Sequence, residues 1–216
     1  MARMHGAFWE MDLSGCDWLM TWAAPSLRLG IPFAADSWSR RHGKFDHLYP
    51  AELDRLVSEF WMADTETCLG LFLARPATFA HTDLELDNVV FVDDAAVVLD
   101  WQTGMWSFPG HDLGWLLSSC HNAETLPREP ELLELYLREF AAAGGPAWSI
   151  ERLLDDLAWG VFYPCSVSHV IYANALEASA SGNGDQRAKH KFEAMLVGAI
   201  AAAGRWGTVE RVGAAA

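Results

Sequence analysis

Apolar positions recur at helical spacing along most of this chain, and the pattern breaks once. Met1, Met4, Phe8 and Met11 fall on one helical face, with no Ser, Thr, Asp or Asn cap ahead of them. Residues 23–49 are mixed and show no clear period. Pro50 suits a first helical position ahead of Leu53, Leu56, Val57 and Phe60 on one face. A short helix is expected from Asp64 or Thr65 to about Leu73, stopped by Arg75-Pro76. The texture then changes at Thr78. Asn88–Val92 and Ala96–Asp100 are short runs rich in β-branched residues, with Asp93-Asp94 as the turn of a hairpin. The polar segment His81–Asp87 before them reads as a loop.

Beyond Pro109-Gly110 the helical period returns. Asp112 can cap a helix carrying Leu113, Leu116 and Leu117. Pro130 opens another, with Leu133, Tyr136, Leu137 and Phe140, ended by Gly144-Gly145. Ser149 can cap a long helix that Pro164 should kink. Ser181–Asp185 reads as a flexible loop, and a last helix runs from about Arg187 to Ala203. Val212–Ala216 is expected to be a disordered tail, leaving residues 1–211 as one domain. The expected fold class is mainly α with a small β-hairpin, that is, α+β.

Composition narrows the function classes. With 51% hydrophobic and 20% charged residues, the 216-residue chain can bury a core. Fifteen Lys+Arg against 29 Asp+Glu give a net charge of -14. That balance argues against nucleic-acid binding and against an anionic membrane surface, since both need cations. No signal-peptide pattern opens the chain. The apolar stretch Ala158–Ala178 is interrupted by Pro164, Ser166, Ser168, His169 and Asn174, which marks a buried helix rather than a membrane span. Cys16, Cys68, Cys120 and Cys165 form no CxxC and no zinc-site spacing, so reduced thiols in a cytoplasmic protein are expected.

The chemistry concentrates around the hairpin. His81-Thr82-Asp83 is followed by Asn88, and Asp100-Trp101 closes the second strand. His-x-Asp-x-x-x-x-Asn is a phosphotransferase catalytic-loop pattern. With 8 His and the Asp and Asn content of this chain, chance predicts about 0.01 occurrences. Asp83 would accept or orient the proton of an attacking hydroxyl. Asn88 would offer a carbonyl oxygen to a divalent cation. Folding the hairpin back would return Asp100 to the same neighbourhood, and paired hard oxygen donors suit Mg²⁺.

The segment from Phe79 to Leu117 resembles the catalytic segment of the aminoglycoside phosphotransferase and choline kinase family, including its ecdysteroid-kinase-like branch. The opening ARMHGAFW resembles the helix after that family's hinge. The resemblance implies a protein-kinase-like C-terminal lobe. It implies a small-molecule kinase moving the γ-phosphoryl of Mg·ATP, or GTP, to a hydroxyl acceptor. By the same resemblance Asp83 is the catalytic base, Asn88 and Asp100 hold Mg²⁺ and nucleotide, and His81 and Asp112 support the loop. Thr82 stands in place of the commoner Gly, Glu85 where His is frequent, and Gly114 where Ala is usual.

The family's N-terminal β lobe has no counterpart in residues 1–80, which hold no glycine-rich turn between β runs and one lysine, Lys44. Gly182-Asn183-Gly184 lies after the catalytic loop and reads as a linker. A truncated enzyme, a lobe supplied from elsewhere with self-association, and a non-catalytic helical scaffold of the same descent all remain open. Trp9, Trp18, Trp22, Trp38 and Trp61 are candidates for a cleft or a core, and Glu151, Asp155 and Asp156 for a cationic substrate or a helix-dipole placement. His111 is expected to be an ordinary loop histidine beside the site.

Overall fold

The computed structural model describes residues 1–93, 95–120, 124–182 and 185–215. Ten α-helices and five short strands alternate in the order α1 (Ala2–Ala7), β1 (Met20–Thr21), α2 (Pro25–Leu29), α3 (Ile31–Ser39), α4 (Ala51–Leu56), α5 (Thr65–Leu73), β2 (Thr78–Ala80), β3 (Val89–Val92), β4 (Ala95–Val98), β5 (Met105–Ser107), α6 (Pro109–Ser119), α7 (Glu129–Ala142), α8 (Ile150–Ala180), α9 (Gln186–Arg205) and α10 (Thr208–Gly213). The protein is mainly α with a small β part, as its periodicity predicts. A π-helical turn, Val57–Met62, continues α4.

The centre of the fold is α8, capped by Ser149, which accepts a hydrogen bond from Arg152 N. The helix runs through Pro164 without a break in its 31 residues. Helix α6 crosses it at backbone contact. A Cβ on Gly110 would sit 2.0 Å from Asp156 O, and one on Gly114 would sit 2.2 Å from the Gly160 carbonyl. Position 114 therefore has no room for a methyl group. Small residues on α9, Ala199, Ala202 and Ala203, are buried in the core where that helix packs against both α6 and α8. Trp22, Phe72, Phe108 and Phe162 fill the interior beneath the site.

Several expectations need correction. Helix α1 ends at Ala7 and buries His5 and Gly6, while Phe8 and Met11 stay exposed. The methionine stripe was not the buried face, because Gly6 packs where a Cβ would meet Phe140 O at 2.4 Å. Residues 23–49 hold two short helices. In α3 the pair Ala34 and Trp38 is buried at i, i+4 spacing. The tail is not disordered from Val212: that residue is fully buried in α10, and Ala216 lies outside the described residues. Of the Ser181–Asp185 segment, Asn183 and Gly184 lie outside them too.

The hairpin forms, with Val89 opposite Val98 and Val92 opposite Ala95; Asp94 of its turn is outside the described residues. Its second strand ends at Val98, not Asp100. A second sheet, in the order β1-β5-β2, had no sequence signal. Its strands of two or three residues are too short to show alternation. Antiparallel pairing of Ala80 with Met105 fixes the two chain segments that carry the site next to one another.

Candidate active site

The loop after β2 is held from below by one buried carboxylate. Asp112 lies inside α6 rather than at its cap, which is Phe108. Its Oδ1 accepts from Thr82 N at 2.7 Å and its Oδ2 from His81 N at 3.0 Å. His5 Nε2 also donates to Oδ2 at 2.9 Å, and His5 Nδ1 meets Tyr136 Oη at 2.7 Å. Both His5 and Asp112 are fully buried. Burial would raise the Asp112 carboxyl, but the His5 contact and the two backbone amides outweigh it and hold the group below its ordinary range. The expected helix cap is thus a support that ties α1, α6, α7 and the loop together.

The loop is also tied from the side. Thr82 adopts a left-handed backbone, φ 65°, and its hydroxyl donates to Thr103 O at 2.7 Å. Thr103 Oγ1 returns a bond to His81 O at 3.1 Å. His81 Nε2 donates to Leu99 O at 2.7 Å, which leaves Nδ1 to accept from Asp83 N at 3.3 Å. His81 therefore sits between the loop and the end of the hairpin.

Asn88 faces back onto the same loop. Its Nδ2 donates to Asp83 O at 2.8 Å and lies 3.4 Å from Asp83 Oδ2. With the amide nitrogen so engaged, its carbonyl oxygen is the end left for a further partner. The Leu99 N to Asn88 O bond, 2.8 Å, extends the hairpin ladder one step beyond Val98. Asp100 follows immediately, exposed and in a left-handed conformation with φ 58°. Its carboxylate has one long contact, Gln102 Nε2 at 3.5 Å. The fold brings Asp83, Asn88, His81 and Asp112 together and sets Asp100 at the neighbouring strand end. On the outer side, Lys191 of α9 reaches Glu85 at 2.9 Å and Asp87 at 2.7 Å.

Asp83 and Thr82 also border a half-open cavity of about 490 Å³ lined from β1, α2, α3, α5, β5, α6 and α8. Trp22 and Trp61 line it as well as filling the core, Trp38 is buried away from it, and Trp18 is exposed. His111 is a buried residue of α6 on the cavity wall, not a loop histidine; burial lowers its pKa to about 4. Tyr163, raised to about 12 by burial and then by the charge of Asp83, lines the cavity beside it, with ring centroids 4.9 Å apart. The acidic residues at the start of α8, of which only Asp156 is buried, are taken up in ion pairs. Asp156 receives Arg75 at 3.0 Å and Gly110 N at 2.7 Å, Asp155 receives Arg75 at 2.6 Å, and Glu151 pairs with Arg211.

Among the described residues no group of three or more His, Cys, Asp or Glu side chains could hold a metal ion by itself. No helix among them is long and apolar enough to cross a membrane. Cys68 and Cys165 are buried with raised pKa values, and all four cysteines are free. His5, Thr103 and Tyr136 escaped the sequence reading, since no local pattern links them to a loop near residue 82.

No curated protein and no solved structure matches the chain. A family model does: the phosphotransferase enzyme family, APH, matches residues 18–154, a span that contains the whole loop, the hairpin and Asp112. That match covers well over half of the sequence, and with the loop geometry it shows that the chain belongs to the phosphotransferase enzyme family.

Proposed function

We propose that this protein is a small-molecule kinase that moves the γ-phosphoryl of Mg·ATP, or of the GTP complex, to a hydroxyl. The observation that carries the reading is Asp83, bordering a half-open cavity on one side and bonded to Asn88 on the other, with Asp100 across the hairpin end. The donors fit a hard cation: an amide oxygen whose nitrogen is already engaged, and a carboxylate with almost no protein partner. Asn88 and Asp100 would hold Mg²⁺, which when bound neutralises phosphate charge during transfer.

In this mechanism the acceptor hydroxyl enters the cavity and hydrogen-bonds to Asp83. Its oxygen attacks the γ-phosphorus, the bond to the β-phosphate oxygen breaks, and the nucleoside diphosphate leaves. The hydroxyl proton passes to Asp83 and from there to solvent. Little covalent work falls to the protein, so rigid positioning of Asp83 matters most. Asp112, His5 and the Thr82–Thr103 pair provide that rigidity as positioning residues.

The chain, including α10, corresponds in this reading to the C-terminal lobe of a kinase-like fold. Val90 and Val92 are exposed on one face of the hairpin and Phe91 on the other. A nucleotide and an upper lobe covering these residues would account for the composition.

The test is a thermal melt of the 216-residue chain with and without Mg·ATP. Saturation at ~100 times Kd adds about 2.7 kcal/mol, or roughly 5–10 °C. The reading expects that shift, and expects Asp100→Ala to lose it. A shift that persists unchanged in both Asp100→Ala and Asn88→Ala overturns the metal assignment. If there is no shift with the wild-type chain, it is a lobe without nucleotide affinity of its own, or a scaffold.

A further inference from the structure

The cavity beside Asp83 carries one hydroxyl that the fold leaves free. Three threonines on its wall have already given their protons away. Thr82 Oγ1 donates to Thr103 O at 2.7 Å, Thr103 Oγ1 to His81 O at 3.1 Å, and Thr65 Oγ1 to Trp61 O. Tyr163 of α8 lines the same wall, and among the described residues its Oη has no hydrogen-bond partner. Tyr163 is only partly buried, and its oxygen is not shut away from the cavity as His111 Nε2 and Trp115 Nε1 are.

The ring behind that hydroxyl is held on several sides. It meets His111 at 4.9 Å, Trp22 at 5.2 Å, Trp61 at 5.8 Å and Phe72 at 6.1 Å, edge to face in each case. A phenylalanine would serve this packing equally well, so the hydroxyl is the part of the side chain that the core does not use. Asp83 lines the same cavity, and its charge acts on Tyr163. Burial and that charge both disfavour the phenolate and raise the group to about 12, so it remains a neutral donor at neutral pH. A fixed donor and a carboxylate acceptor therefore share one space of about 490 Å³.

An alcohol oxygen has one proton and two lone pairs. In phosphoryl transfer the proton goes to Asp83 and one lone pair must face the γ-phosphorus. The second lone pair is then available to a donor, and bonding it fixes the rotation of the hydroxyl about its C–O bond. We infer that Tyr163 Oη–H is that donor, touching the attacking oxygen of the acceptor and aiming it between Asp83 and the phosphoryl group. This deepens the phosphotransferase reading and rests on it for the role of Asp83.

The test is titration of the 216-residue chain with small probes, followed by tryptophan fluorescence, since Trp22 and Trp61 line the cavity. Met20, Ile31, Val167 and Ile171 make much of the wall apolar, so the probes share a phenyl body: 2-phenylethanol, its methyl ether and ethylbenzene. The alcohol can bond to both Asp83 and Tyr163, the ether only to Tyr163, and the hydrocarbon to neither. Affinity should fall in that order, roughly tenfold for each hydrogen bond lost. Tyr163→Phe keeps the packed ring and removes the hydroxyl. It should weaken the alcohol and the ether by roughly tenfold and leave ethylbenzene unchanged. A purely structural Tyr163 would move all three probes together. The inference is overturned if the three shift equally, if Tyr163→Phe binds the alcohol and ether as the wild type does, or if the wild type binds none of the probes. A Mg·ATP melt of the same preparation separates the two claims. A nucleotide shift with no effect of Tyr163→Phe sinks this inference alone. The expected Tyr163→Phe pattern without a nucleotide shift upholds the oxygen contact and sinks phosphoryl transfer by this chain.

Discussion

The two halves of the candidate site are built to different standards. The loop half, His81 to Asp83, rests on a fully buried carboxylate with three donors, and its own side chains are tied to Thr103 and Leu99. The hairpin half carries Asp100 exposed at a strand end, held by a single 3.5 Å contact, beside Phe91 at 75% exposure. The difference fits the roles proposed for each half. A base must be held still before substrate arrives, because a misplacement of about 1 Å can cost a hundredfold in rate. A group that meets a metal–nucleotide complex gains its partners from that complex, so the protein need not supply them.

The largest effect should come from removing the buried support. Asp112→Ala leaves two backbone amides and His5 without an acceptor and should cost about 3–5 kcal/mol, as for breaking a buried pair. Asp100→Ala should stay within about 0.5 kcal/mol, as at an exposed position. Urea denaturation of both variants measures the contrast, and equal losses would erase it.

Acid should act on the same buried half. Burial lowers His111 and His169 to about 4, and in each it is the largest cause. The unfolded chain takes up these protons near pH 6.5 and the folded chain does not, so stability falls as pH drops from about 6.5 to about 4. The loss is on the order of 3 kcal/mol per histidine at the acid end. Asp112, held low, adds its own loss only below its ordinary carboxylate value. A melting temperature that is flat between pH 7 and 4 contradicts this, and His111→Phe should reduce the slope.

A smaller effect tests the helix crossing on which the loop's support stands. Gly114→Ala places a methyl 2.2 Å from the Gly160 carbonyl and should cost about 1–3 kcal/mol through forced backbone movement. Gly70→Ala in α5, with nothing within 4 Å, should instead stabilise by about 0.4–1 kcal/mol. Thermal melts of the pair decide whether close approach or helix propensity governs these glycines.

The smallest effect lies on the loop's outer side. Partial burial would lower the Lys191 pKa, but its hydrogen bonds to Asp87 and Glu85 raise it on balance, and the three groups make a half-exposed ion pair. Lys191→Ala should cost under about 1 kcal/mol, less at high salt, while raising amide exchange at residues 85–88. Unchanged exchange there would mean that α9 does not steady the loop.

How much of this was legible in the chain depends on the distance over which each feature is made. The helices α5, α7 and α8, the cap at Ser149 and the hairpin β3–β4 are local, so period and turn chemistry revealed them. The order His81, Asp83, Asn88, Asp100 was legible too, because the loop and hairpin join those residues through one short stretch of chain. Helices α2 and α3 were missed where Pro25 and Pro32 in first turns, and the Ala34–Trp38 spacing, were available as signals. The tail was misread because small, weakly apolar residues near an end carry no pattern that distinguishes a packed helix from a frayed one.

The sequence alone determined a mainly helical chain, one hairpin and a His81–Asp83–Asn88 pattern of phosphotransferase type, since each of these is written within a few residues of itself. Only the tertiary structure decided that Asp112 turns from its own helix to the loop, and that His5, 107 residues away, donates to it. It likewise decided that Gly114 must lack a Cβ, and that the space beside Asp83 is largely apolar. Those facts are relations between elements. Periodicity reports which face of an element is buried, while the partner on the far side is selected by close packing of the whole chain.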